Sequence, residues 1–175
     1  MRQSKRDDIL DAAQRLIQRD GVTALTFESL ATESGLTKGG LLYHFPSRDE
    51  LLRGLHQHVA GRWEQCMESE AGGPAGEVDD DARFAAFVRS SQFPDRAELL
   101  LMLEASENPV TSAVWDGVYS RWVPDAPTVD DDEVLTFIAR LAADGLWLYE
   151  SLNSQKLDPA VRERVVREIV NLAPR

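Results

Sequence analysis

Between Thr26 and Phe45 the chain reads TFESLATESGLTKGGLLYHF, and the chemistry of this stretch lies in what it offers to hydrogen-bond acceptors. Two short helical segments flank Gly35, a residue suited to a tight turn because a left-handed backbone is open to glycine. The second segment opens with Thr37, Lys38, Gly39 and Gly40: a hydroxyl, a cation and two residues without side chains. Amides at a helix start point outward and carry the positive end of the dipole, which favours a phosphate or a base acceptor. The glycines let the backbone come close to a groove wall, at a penalty in helix propensity of about 1 kcal/mol each relative to Ala. Nothing in the local sequence requires that penalty. Lys38 is the best placed residue for a base edge or a phosphate. The pattern predicts a helix-turn-helix, which presents its second helix to the DNA major groove.

Other chemistries find less support. The chain has no phosphate-binding loop, dinucleotide fingerprint, nucleophile elbow or zinc-helix motif. Its three histidines and one cysteine have no evident acid–base partner in the sequence, so an enzyme is not expected. Asp79-Asp80-Asp81 and Asp130-Asp131-Asp132 precede helices, where negative charge complements the dipole; calcium-loop spacing is absent. His56 and His58 are two residues apart and fall on different helix faces. No metal and no cofactor are therefore predicted. Cys66 reads as a small packing residue, and a single cysteine excludes an intrachain disulfide and fits a reducing compartment. An aromatic-rich set is spread over the later helices: Trp63, Met67, Phe84, Phe87, Met102, Trp115, Tyr119, Trp122, Phe137 and Trp147. Such residues line small-molecule pockets, although a packed core is their commoner use.

Charge separates the chain into two parts. Its 175 residues carry a net charge of −11. Residues 1–62 hold nine Lys/Arg and eight Asp/Glu, whereas residues 63–175 hold ten and 22. A near-neutral head can approach phosphates while an acidic body is repelled from them. An acidic chain is an unusual DNA binder, so the motif must carry that expectation. No apolar run approaches the roughly 20 residues that span a bilayer. The start, MRQSKRDDIL, lacks the apolar core of a signal peptide, and a cytoplasmic protein with no membrane partner is expected.

The elements that position these residues read as about nine helices and no strands. Ser4 caps the first, with Asp7 three residues on and Gly21 at its end. Thr26 caps the second, and Thr37 the third, which ends near Tyr43. Leu30, Ala31, Leu36, Leu41 and Phe45 form the small core of the head. Ser47 with Glu50 makes a capping box for a long fourth helix through Leu51, Leu55, Val59, Trp63 and Met67. AGGPAGEVDDD is a loop by composition. Phe84, Phe87 and Val88 mark a fifth helix, and Asp95 starts a sixth through Leu99, Leu100, Met102 and Leu103. Asn108-Pro109 and Asp158-Pro159 are cap-plus-proline starts for the seventh and ninth. The ninth carries Val161, Val165, Ile169 and Leu172 on one face. The eighth runs from about Asp130 to Leu152, and its apolar residues cover well over half its circumference. Such a helix must be buried on more than one side, and an identical chain is the simplest second partner, giving a four-helix interface.

Residues 5–55, with the LA, GL, glycine-rich start, YHF and capping box in the ungapped run ILDAAQRLIQRDGVTALTFESLATESGLTKGGLLYHFPSRDELL, resemble the tetracycline-repressor (TetR) family of transcriptional regulators. The resemblance implies an all-α homodimer: a helix-turn-helix DNA-binding domain over residues 1–46 and a helical ligand-binding and dimerisation domain over residues 47–175. It implies a repressor of double-stranded operator DNA, released by a small-molecule effector. Tyr43 and His44 would then bind phosphate from the end of the recognition helix, while Thr26 and Arg48 clamp the backbone on either side. The family commonly has a DNA-touching tyrosine where this chain has Leu42, so the operator sequence is not carried over. The Leu42 change and the acidic balance leave a second reading open: a ligand-binding or interaction protein whose head does not bind DNA.

Overall fold

The computed structural model describes residues 4–91 and 95–174. Among them the regular structure is nine α-helices and one 3-10 turn, the turn lying at Val22–Ala24. The helices are α1 (Lys5–Asp20), α2 (Phe27–Ser34), α3 (Lys38–His44), α4 (Arg48–Ala71), α5 (Asp80–Ser90), α6 (Arg96–Ala105), α7 (Pro109–Trp122), α8 (Asp131–Leu152) and α9 (Pro159–Leu172). This is the all-α class that the missing strand periodicity implied. Packing divides the chain into two compact units: Met1–Arg62 with Asp95–Asp116, and Trp63–Pro94 with Gly117–Arg175.

In the first unit, local chemistry sets the helix ends. Ser4 and Asp7 form a reciprocal capping box on α1, and Gly21 closes it at φ 87°, its N–H donating to the Ile17 carbonyl. Ser47 Oγ accepts the Glu50 N–H at the start of α4 (3.2 Å), whereas the Glu50 carboxylate lies 3.7 Å from Arg53. Ile9, Ala13, Leu16 and Ile17 of α1 are buried with Leu30, Leu41, Phe45, Leu51 and Leu55. Burying such a side chain contributes about 1.5–3 kcal/mol, and this core holds the short helices α2 and α3 in place. Of the expected head core, Ala31 and Leu36 are only half-buried. Gly54 of α4 has a structural reason to be glycine: a Cβ there would stand 2.9 Å from the buried Phe45 ring.

The start of α6 is tied to α1. Gln14 Nε2 donates to the Asp95 carboxylate (2.5 Å), and Gln18 Oε1 accepts the Ala97 N–H (2.7 Å). The buried face of α6 is Ala97, Leu101 and Ala105, while Leu103 is exposed. The leucines that mark this helix in the sequence are therefore not its main core face. Five consecutive apolar residues leave its periodicity undetermined, and the two alanines permit the close approach.

In the second unit, Phe84, Phe87, Trp122, Ala139, Ala143, Leu146, Val166 and Ile169 are buried. Asp79 caps α5, so the expected loop ends two residues early. On α9, Val166 and Ile169 face inward, whereas Val161 and Leu172 are exposed. Glu150 is 1% exposed. It takes the Arg162 guanidinium (3.3 and 3.4 Å) and the Leu157 N–H (3.2 Å), joining the end of α8 to the start of α9. The other side of α8 is bare. Val134, Ile138, Leu141, Leu148 and Leu152 are 38–65% exposed, and Gly145 between them has open space where a Cβ would be. With Gly145 included, these residues alternate four and three apart, the spacing of a helix–helix seam. Among the described residues no helix is long and apolar enough to cross a membrane.

Candidate nucleic-acid interface

The turn between α2 and α3 is built from caps and one left-handed glycine. Thr26 Oγ1 accepts the Ser29 N–H (3.1 Å) and Ser29 Oγ accepts the Thr26 N–H (3.0 Å), a reciprocal cap on α2. Gly35 sits at φ 70°, ψ 17°, where a side chain would be strained. Thr37 Oγ1 accepts the Gly40 N–H (3.1 Å). One of the amides expected to be open at Thr37–Gly40 is thus occupied by the cap itself.

The surface of α3 is polar and sparse. A Cβ at Gly39 would meet nothing within 4 Å, and one at Gly40 only Thr37 Oγ1 at 3.4 Å. Neither glycine is required by packing inside the protein. Tyr43 is 84% exposed, its ring edge-on to His44 at 5.2 Å. Lys38, Thr37 and Arg48 are exposed, and His44 is half-buried. Leu42, where the resemblance implies a tyrosine, is also exposed. Arg48 Nε donates to the Leu25 carbonyl (3.4 Å), which fixes the start of α4 beside the head.

Two residues outside the sequence expectation shape this surface. Arg6 of α1 donates to the His44 carbonyl (3.0 Å) and lies 4.2 Å from the centre of the Phe45 ring, pinning the end of α3. Glu28, in the first turn of α2, accepts from Lys38 Nζ at 2.5 Å. That hydrogen bond holds the Glu28 carboxyl below its ordinary range. No local rule links positions 28 and 38, because the Gly35 turn brings them together.

The candidate ligand-contacting residues fall into separate groups. Trp115 and Met102 lie in the first unit. Trp115 is buried, and its indole N–H donates to His56 Nδ1 (3.0 Å), while His56 Nε2 stands 2.8 Å from Glu104 Oε2. Indole is only a donor, so Nδ1 accepts and the proton sits on Nε2, facing the carboxylate. Burial pushes His56 below its usual pKa. His58 Nε2 likewise lies 2.8 Å from Asp11 Oδ1. Both histidines thus have carboxylate partners, which the sequence did not reveal because they lie 48 and 47 residues away. Among the described residues no group of three or more potential ligands could hold a metal ion.

In the second unit Trp63, Phe87 and Tyr119 form a ring cluster with centroids 5.1–6.4 Å apart, and Trp63 donates to Ser90 Oγ (3.0 Å). Met67 is fully buried. Trp122 Nε1 donates to Glu64 (3.1 Å), whose two oxygens also take Arg121 at 2.7 Å each. The Arg121 hydrogen bond holds Glu64 below its usual range. Trp147 is half-buried. Phe84 and Phe137 line a cleft of about 580 Å³ that also contains Asp80, Asp81, Asp125, Asp132, Glu133 and Arg140. The guanidinium of Arg140 is committed, donating to the Pro124 carbonyl (3.2 Å) and lying 5.7 Å from the Phe137 ring. Asp79 and Asp130 cap their helices, while Asp80, Asp81 and Asp132 line this cleft.

The helix-turn-helix of α1–α3 and the helices that follow, with no strand among the described residues, define a helix-turn-helix protein of the all-α class. Comparison with known proteins makes this specific. Residues 9–55 match the model "Bacterial regulatory proteins, tetR family", and residues 81–174 match "Tetracyclin repressor-like, C-terminal domain". The chain belongs to the TetR family. It is 32% identical over 72 residues to the HTH-type transcriptional repressor KstR2 of Mycobacterium tuberculosis, covering 39% of this chain and 36% of KstR2. Over 75 residues it is 32% identical to the HTH-type transcriptional regulator TtgR of Pseudomonas putida, covering 39% of this chain and 34% of TtgR. The matched stretch thus spans about a third of the length of these curated relatives. The fold matches the multidrug binding protein EbrR complexed with malachite green, with a TM-score of 0.66 at 20% identity, covering 98% of this chain and 99% of EbrR. It also matches a transcriptional regulator from Rhodococcus sp. Rha1, with a TM-score of 0.69 at 13% identity, covering 97% and 95%.

Proposed function

We propose that this protein is a cytoplasmic homodimeric repressor that binds double-stranded operator DNA through residues 1–46 and releases it when a small apolar ligand binds within residues 47–175. The observation that carries the reading is the opening of α3. Lys38, Gly39 and Tyr43 are exposed and Gly40 is half-buried, a sparsely covered surface whose two glycines the protein's own packing does not require. Lys38 and the α3 backbone meet the groove, Tyr43 and His44 take phosphate from one side, and Thr26 and Arg48 hold it from the other. KstR2 is named a repressor, which supports the sign of regulation.

The bare seam of α8, with Val161 and Leu172 of α9, receives the same surface of a second copy. A twofold pair sets the recognition helices about 34 Å apart, one turn of B-DNA. The ligand acts by its differential affinity for the forms with and without that spacing. Phe84 and Phe137, with the neighbouring carboxylates, favour an apolar ligand that is neutral or cationic, and EbrR, a multidrug binding protein, offers a precedent.

The test is selection of genomic fragments by the purified protein, followed by release with candidate ligands. Enriched fragments sharing a twofold-symmetric element, bound more weakly as salt rises, are the expected result. If no fragment is enriched at low salt, the repressor reading is overturned in favour of a ligand-binding protein with a silent head.

A further inference from the structure

The first turn of α3 carries one side chain long enough to reach a base edge. Lys38 is followed by two glycines, and the next polar side chain of the helix is Tyr43. Lys38 is already engaged, with its ammonium 2.5 Å from Glu28 Oε1 and both side chains more than half exposed. The Lys38 hydrogen bond lowers the Glu28 pKa, so the carboxylate is ionised at neutral pH. An ion pair this exposed contributes little to folding. At a surface that meets DNA it has another consequence: a carboxylate there is repelled by phosphate unless a base donor takes it.

The major-groove edge of a guanine–cytosine pair suits this couple. Guanine N7 and O6 are two adjacent acceptors for an ammonium, and the cytosine N4 amine beside them is a donor for a carboxylate. An adenine–thymine pair fits less well. Its amine is flanked by the N7 acceptor, which repels a carboxylate, and its O4 by the methyl group, which blocks an ammonium.

We infer that Glu28 and Lys38 act as one reading unit that selects a guanine–cytosine pair, in one orientation, at one position of each half-site. Lys38 donates to guanine O6 and N7, and Glu28 accepts from cytosine N4. At every other site the carboxylate disfavours binding, so Glu28 is a specificity-determining residue that lowers affinity for non-cognate DNA. This inference rests on the DNA-binding reading above.

The experiment is selection from a randomised duplex library by the full-length protein and its Glu28→Gln and Lys38→Met variants, with circular dichroism to confirm equal helicity. The wild type enriches a guanine–cytosine pair at the shared position. Both variants lose about tenfold of that preference, at the same position, while the rest of the consensus is kept. Glu28→Gln also binds non-specific DNA more tightly at low salt. Unchanged preferences in Glu28→Gln, or variants that relax different positions, overturn the paired reading while leaving DNA binding intact. A wild type that enriches no sequence overturns the DNA-binding reading and this one with it.

Discussion

Among the described residues two faces are left largely uncovered, and they are chemical opposites. The opening of α3 is polar and almost bare of side chains, with a lysine, two glycines and an exposed tyrosine. The outer face of α8 is densely apolar, with five aliphatic residues about half exposed around a central glycine. A polar face short of side chains suits a rigid polyanion whose grooves need close approach. A continuous aliphatic seam is stabilised only when it is taken out of water. The contrast shows that exposure by itself says little, and that the chemistry exposed indicates the kind of partner.

Four experiments break or sharpen this contrast. The largest effect is expected on the aliphatic side. Ile138→Glu combined with Leu141→Glu places two charges in the seam and should convert the proposed dimer to monomer in analytical ultracentrifugation. Operator affinity should fall by at least about 100-fold, because single half-sites bind far more weakly. A variant that stays dimeric would remove α8 from the interface. On the polar side, Lys38→Ala and His44→Ala should each weaken operator binding by about 10-fold, the scale of one lost contact of 1–3 kcal/mol. Fluorescence anisotropy reads the affinity, and sedimentation should show the dimer unchanged.

Gly39→Ala sets stability against binding. The added methyl meets nothing, so chemical denaturation should show a gain of up to about 1 kcal/mol from helix propensity. Operator affinity should drop at the same time if the backbone must approach the groove. A gain in both would mean that the glycine is not there for DNA.

The smallest effect belongs to a fully buried site, His56. Burial lowers the pKa of His56 in the folded state, so the unfolded chain binds more protons as the pH falls through about 6.5. Stability is then fully present above that value and declines below it. The urea midpoint should shift down between pH 7.5 and 5.5, and His56→Leu should flatten that change even if it lowers the midpoint overall. Protonation at Nδ1 would also set it against the Trp115 N–H, so the fluorescence of that tryptophan is a second readout.

Much of the fold was legible because helix ends are local chemistry. Ser4, Thr26, Thr37, Asp95, Asp130 and Asp158 each cap the helix they were expected to start. The excess of apolar surface on α8 was legible too, since a count around the helix needs no tertiary knowledge. The inward face of α6 was not, because RAELLLMLEA is apolar on too many sides for periodicity to choose. The histidine partners and the Glu28–Lys38 pair were hidden for a different reason. Each joins residues that only the folded chain brings together, and a charged side chain gives no sign in sequence of which opposite charge it will meet. The cleft beside Phe84 and Phe137 likewise takes in Asp80, Asp81 and Asp132, whose place next to the helix caps gives no sign in sequence of a shared pocket.

The missing methyl at Gly54 couples α4 to the end of α3. Phe45 follows the last residue of α3, and its ring occupies the space that any larger residue at position 54 would claim. Gly54→Ala would push that ring, and Arg6 with it, before it disturbed anything else. Position 54 is therefore coupled to the aim of α3: a change here is expected to tilt the end of that helix, through Phe45 and the Arg6 bond to the His44 carbonyl, without altering any side chain on its exposed face.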